Sequence, residues 1–135
     1  MVTGSCLCGA ITYRIEGELD NIQICHCSQC RKAQGGPFAT NIPVATDKFV
    51  ITDAKNKIKG YESLTRKGKY RMFCSDCGSP LFSHLESDPN FVRVRAGTIN
   101  DPVPVKIKHH QFVSSKASWY EILDTHQQHK EFPLP

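Results

Sequence analysis

Apolar and polar residues alternate along the stretch AITYRIEG (residues 10–17). Ile11, Tyr13 and Ile15 fall on one side of an extended chain, and Thr12, Arg14 and Glu16 on the other. A period of two predicts a half-buried strand. Val92 and Val94 alternate with Arg93 and Arg95 in the same way. Further short runs have strand character: NIQIC (21–25), FATNIPV (38–44), KFVIT (48–52), KIKGYES (57–63), KYRMFC (69–74), PLFSHL (80–85) and VKIKHHQFV (105–113). Gly, Pro, Asn and Asp punctuate them, which predicts an all-β fold of short strands, a folded-over sheet or sandwich. Helical signals are brief. SQCRKAQ (28–34) predicts a turn or two, N-capped by Ser28 and stopped at Gly35-Gly36. A second turn is expected within SSKASWYEIL (114–123). The segment 124–135 is polar and ends in prolines, which predicts a loosely held tail.

The 135 residues suit one domain, with its core over about residues 3–123. No apolar run approaches the ~20 residues that cross a bilayer. The opening MVTGSCLCGA lacks the order of a secretory leader, so a cytoplasmic protein with reduced thiols is expected. That expectation governs the seven cysteines. An odd number in C-x-C and C-x-x-C groups favours metal thiolates over disulfides. A thioredoxin-like reading of CSDC fails because the turn residues Gly-Ser-Pro come after it rather than a helix.

The residue after each group divides the cysteines. In CLCG and CSDCG a glycine, Gly9 or Gly78, comes directly after the second cysteine. Such a knuckle lets backbone N–H groups face the sulfurs, and glycine tolerates the positive φ of the turn. Cys6, Cys8, Cys74 and Cys77 are therefore expected to form a closed structural zinc site. Cys30 is succeeded by Arg31, so Cys25, Cys27 and Cys30 are not built as a knuckle. Three ligands with a fourth position open are the catalytic arrangement of zinc. Two plainer readings stand beside it: a second structural site closed by His84, His109, His110, His126 or His129, or buried thiols without metal. His26 should face away from its neighbours, either behind the ligands or in solvent. His126 and His129 are expected in solvent.

Charge adds little. Seven thiolates holding two divalent ions would bring the formal +4 down to about +1, which gives no case for nucleic acid. The basic stretch 55–71 is expected on the solvent face of a hairpin, where lysines blunt an edge, with an anion-attracting rim as the alternative. No aromatic platform is interleaved with it. Arg31 and Lys32 could supply positive charge near the triple cluster, and Gly35 and Gly36 an unobstructed backbone wall. Lys116 and Trp119 are candidates for a pocket rim, although a single Trp is more commonly core.

The segments GSCLCGAITYRIEG, CHCSQCRKAQGGPF, FCSDCGSPLF, RAGTINDP and HHQFVSSKASWYEI, in that order, resemble the glutathione-dependent formaldehyde-activating enzymes. That family is also called S-(hydroxymethyl)glutathione synthase or centromere-protein-V-like. The resemblance implies an Mss4-like, zinc-stapled β fold. It implies structural Zn²⁺ at Cys6, Cys8, Cys74 and Cys77, and catalytic Zn²⁺ at Cys25, Cys27 and Cys30. It further implies a carbon–sulfur lyase or synthase acting on a thiol adduct of an aldehyde, with glutathione as the thiol. The rival expectation is a non-catalytic zinc-binding adaptor, since the fold also serves binding roles. No membrane partner is expected.

Overall fold

A computed structural model of the chain describes residues 1–133. Among these the strands are β1 (Val2–Ser5), β2 (Thr12–Ile15), β3 (Ile22–Cys25), β4 (Ala39–Ala45), β5 (Phe49–Thr52), β6 (Ile58–Glu62), β7 (Lys69–Cys74), β8 (Pro80–Leu85), β9 (Asp88–Arg95), β10 (Ile107–Gln111) and β11 (Gln127–Gln128). One helix, α1, spans Ser28–Gln34. The expected all-β class therefore holds.

The strands form two sheets. The smaller has the order β1-β2-β5 and the larger β11-β10-β3-β4-β9-β8-β7-β6. Period-two patterning decides what lies between them. Ile11, Tyr13 and Ile15 from the small sheet are buried with Ile42, Val44, Val92 and Val94 from the large one. Phe49 bridges the layers, with its ring 5.1 Å from Tyr13 and 4.9 Å from Phe82. The Tyr13 ring also crosses its partner residue Gly4, where any Cβ would collide with it. The Tyr13 hydroxyl pairs with Thr98 Oγ1 at 2.7 Å.

The other face of the large sheet is polar and covered rather than solvated. Strand register lines up Gln23, Asn41 and Arg95 in one rank, and Arg93, Ser83 and Arg71 in the next. The half-buried reading of β9 fails on this face: Arg95 is 3% exposed. The reason is topological. β9 is central, and α1 and the C-terminal segment rise beside this face.

Three further expectations change. The helix is capped by Cys27, whose Sγ accepts from Cys30 N, and not by Ser28; Gly35 closes it in the left-handed region at φ 67°. The C-terminal segment is not loose. Gln127 and Gln128 pair in parallel with His109 and His110, and the Phe132 ring packs edge-on against Phe112 at 4.7 Å. Trp119, at 70% exposed, belongs to no core. The turn expected within 114–123 appears twice, as a 3₁₀ turn over Val113–Ser115 and as a turn at Ser118–Trp119 closed by Tyr120 N donating to Ala117 O.

Candidate metal centres and the cleft

The seven cysteines gather as two sets, Cys6/Cys8/Cys74/Cys77 and Cys25/Cys27/Cys30. Within each, all Sγ atoms lie within 4.8 Å of one another. The first set joins the loop after β1 to the turn after β7. Gly9 and Gly78 both take the left-handed conformation, with φ 79° and 78°. The turns they permit are closed by Gly9 N donating to Cys6 O and Gly78 N donating to Cys74 O. Ile11 N donates to Cys6 Sγ at 3.3 Å. Leu7 N donates to Ser79 Oγ at 2.8 Å, which ties one knuckle to the other. The Ser79 hydroxyl and N–H hold the Cys77 thiol down to about 5.

The sulfur spacing tests the fit of a metal. Four sulfurs around zinc at ~2.3 Å in tetrahedral array lie about 3.8 Å apart. Cys6 Sγ and Cys8 Sγ are 3.6 Å apart, and Cys8 Sγ and Cys74 Sγ 3.8 Å. A disulfide would need about 2.05 Å. All seven thiols are free. The first set thus has the donors and the spacing of a four-thiolate cage.

The second set is built locally. Cys25 ends β3, Cys27 caps α1 in an extended conformation, and Cys30 lies in the first helical turn. Cys30 N donates to Cys27 Sγ at 3.3 Å, and Arg71 Nη1 approaches Cys30 Sγ at 3.9 Å. Hydrogen bonds from Cys25 and Cys30 bring the Cys27 thiol down to about 2, and the same contacts push Cys25 up. Within the trio the negative charge is thus drawn to Cys27 and the proton to Cys25. Among the described residues no histidine joins either set.

All three of these sulfur residues line a cleft of about 480 Å³. Its other walls include Arg66, Lys69, Arg71, Arg93, Arg95, Phe112 and Phe132. The cleft's cations thus come partly from the basic stretch expected on a solvent-facing hairpin. The correction comes from the sheet order: β7 is flanked by β6 and β8, and alternation turns Lys69 and Arg71 toward the cleft. Burial and the neighbouring Arg71 lower the pKa of Lys69. Phe112 holds φ 58°, a rare conformation for an aromatic residue. Such strain is characteristic of functional sites.

Arg31, Lys32, Gly35, Gly36 and Lys116 are not among the lining residues. Arg31 buries an Nε without a partner. Lys32 borders a separate depression with Tyr61 and Leu64. Gly35 serves as the helix C-cap. Lys116 Nζ donates to the carbonyls of Ala117 and Tyr120. No signal in the sequence replaces them with Arg93 and Arg95, because the covering of that face depends on segments far apart in the chain.

His26 is fully buried, and so not in solvent. It packs edge-on against Phe38 at 5.3 Å and pairs through Nε2 with His110 Nδ1 at 2.8 Å. His110 Nε2 meets Asp124 Oδ2 at 2.9 Å. The carboxylate can only accept, so His110 donates to it from Nε2. Burial, then His110 and Lys116, lower His26 to about 4, which keeps it neutral. The chain His26–His110–Asp124 braces the backbone between Cys25 and Cys27 from behind. His129 is not solvated as expected, since its ring packs edge-on against His109 at 5.2 Å.

Comparison with known proteins places the chain in a family. Residues 1–115 match the family model "Glutathione-dependent formaldehyde-activating enzyme". A Halomonas elongata protein, provisionally named glutathione-dependent formaldehyde-activating enzyme, is 32% identical over 128 residues, covering 90% of this chain and 81% of its own length. An Aspergillus flavus protein with the same provisional name is 27% identical over 88 residues, and the match covers 64% of this chain but only 45% of that protein. A crystal structure of a Rhodobacter sphaeroides protein shares the fold, with a TM-score of 0.61 at 24% identity over 78% of this chain and 98% of its own. From its family match and its Halomonas elongata relative, the chain belongs to the glutathione-dependent formaldehyde-activating enzyme family.

Proposed function

We propose that this protein is a zinc-dependent carbon–sulfur lyase or synthase acting on the adduct of a thiol, of the glutathione type, with formaldehyde or a related aldehyde. The observation that carries the proposal is that three residues with mutually adjacent sulfurs, Cys25, Cys27 and Cys30, line one cationic cleft. In this reading Cys6, Cys8, Cys74 and Cys77 hold a structural ion, and the trio holds a second, reactive one. Free thiols in two ligand sets suit a reducing compartment, and we place the protein in the cytoplasm. Among the described residues no helix is long and apolar enough to cross a membrane.

Bound by the trio, Zn²⁺ would favour deprotonation of an incoming thiol and polarise an aldehyde oxygen. The chain's own residues do the rest. Arg66, Lys69 and Arg71 attract substrate carboxylates toward the sulfurs. Arg71 stands close enough to Cys30 to steady its negative charge. Phe112 and Phe132 close one side of the cleft with apolar surface and limit water. In the forward direction a C–S bond forms between thiol sulfur and carbonyl carbon, and the thiol proton ends on the former carbonyl oxygen. The reverse breaks the same bond and returns thiol and aldehyde.

The test is an exchange measurement. Labelled formaldehyde and glutathione equilibrate with their adduct without a catalyst, and magnetisation-transfer NMR reads the rate. Metal-loaded protein should accelerate exchange, and Cys27→Ser should abolish the acceleration. No acceleration by fully loaded protein would overturn the proposal for this thiol.

A further inference from the structure

We propose that the cleft favours thiols whose body carries two or more anionic groups, and that among these it prefers a capped amine to a free ammonium group, with Arg71 and Arg95 as specificity-determining residues. The inference rests on the reading of the Cys25/Cys27/Cys30 cleft as a thiol site, and names the class of thiol it takes.

Five cations line the cleft: Arg66, Lys69, Arg71, Arg93 and Arg95. Among the described residues its lining holds no Asp or Glu. Arg93 has a carboxylate at 3.7 Å, Asp88, which lies outside the lining. Arg66 lies over the Phe132 ring at 5.8 Å. Lys69, Arg71 and Arg95 have no carboxylate partner among the described residues. Three thiolates around a divalent ion would amount to one negative charge, against these five positive ones.

The imbalance is greatest at Arg95. It is 3% exposed, yet its Nη1 donates only to neutral acceptors, Asn41 Oδ1 at 2.6 Å and Arg93 O at 3.1 Å. Its Nε has no partner, and neither has Arg93 Nη1. Negative charge reaches it only from the Cys25 and Cys30 sulfurs, and a buried guanidinium with donors still free is costly. Burial lowers its pKa to about 10, so it remains charged at neutral pH. A fixed, desolvated cation with unused donors is prepared for an anion that arrives from outside. Planar guanidinium groups suit carboxylate or phosphate oxygens equally.

Glutathione meets this cleft imperfectly. Its two carboxylates suit the arginines, but its γ-glutamyl ammonium would enter a field of like charge with no carboxylate to receive it. Capping that amine removes the conflict and raises the net negative charge of the ligand. The same logic admits a phosphate-bearing thiol.

Isothermal titration of the metal-loaded protein with glutathione, N-acetylglutathione and the S-methyl derivative of each tests this directly. The S-methyl pair reads the outer contacts without thiolate ligation. N-acetylation should tighten Kd at least tenfold in both pairs, and raised salt should shrink the difference. Arg71→Gln should reduce the ratio to below threefold, whereas Lys48→Gln, outside the cleft, should leave it unchanged. Equal or tighter binding of the free-amine forms by the parent protein would overturn the inference. If acetylation tightens binding but the thiols bind no better than their S-methyl forms, anion selection stands and thiolate ligation fails. A phosphate-bearing thiol that competes with N-acetylglutathione would identify phosphate as an accepted anion, and one that does not would limit the site to carboxylates.

Discussion

Replacing Cys74 by Ser should destabilise the whole fold. Cys74 is fully buried, and its sulfur faces Cys8 across 66 residues of sequence. A cross-link closing a loop of that length removes about 4 kcal/mol of chain entropy from the unfolded state. That is a large part of the ~5–15 kcal/mol that stabilises an ordinary domain. For a chain of this size a loss of about 4 kcal/mol corresponds to roughly 12–20 °C in melting temperature. Cys27→Ser touches a set confined to residues 25–30, where the same relation gives no more than about 2 kcal/mol. That local turn also keeps other ties: His26 N donates to Gln111 O and Arg31 N to Cys27 O. Calorimetry of both variants, purified with excess zinc and reductant, provides the comparison, and metal analysis reports which ion is lost. Cys74→Ser should melt much lower than Cys27→Ser, and a chelator should bring the parent protein close to the former. Equal melting losses in the two variants would refute the assignment of the long-range set as the structural one.

Gly4→Ala should cost at least about 2 kcal/mol, as overpacking does, because its Cβ meets the Tyr13 ring in the sheet that carries Cys6 and Cys8; denaturant titration measures it. Asp124→Asn weakens a charged hydrogen bond to His110 and should lower the denaturation midpoint. It should also speed metal loss from the trio but not from the four-cysteine set, as monitored with a colorimetric chelator. Burial lowers the pKa of His109 below 6.5, so the unfolded chain binds more protons in the window between the two values. Stability from this residue is complete above that window and falls as pH drops through it, and His109→Gln should flatten that limb in denaturation curves taken from pH 7.5 downward.

The strands were legible because most bury one face. Ile11, Tyr13 and Ile15 match the pattern residue for residue. Two strands were not legible. β1 is short and contains Gly4, and β11 has only two glutamines, so neither carries an apolar rhythm. The division of the cysteines was legible from the glycines beside them, since Gly9 and Gly78 do adopt positive φ. The cleft was not. Arg93 and Arg95 have the same local pattern whether the far face meets water or protein, and only tertiary packing separates the cases. His26 illustrates the same limit: its partners, His110 and Asp124, lie 84 residues away and a further 14 beyond.

The contrast between a contiguous sulfur trio and a dispersed set of four bears on how ions are acquired during synthesis. A ribosome delivers Cys6 and Cys8 first, but their partners emerge only with the turn after β7. Cys25, Cys27 and Cys30 come next within one short stretch and form a ligand set as soon as they leave the exit tunnel. In the proposed two-ion reading, the first ion captured by the nascent chain would find the trio, or a mixture of it with Cys6 and Cys8, as its available host. Correct loading would then require that ion to be exchangeable until the two sheets close, so a loosely held metal at the trio would be an advantage during biogenesis.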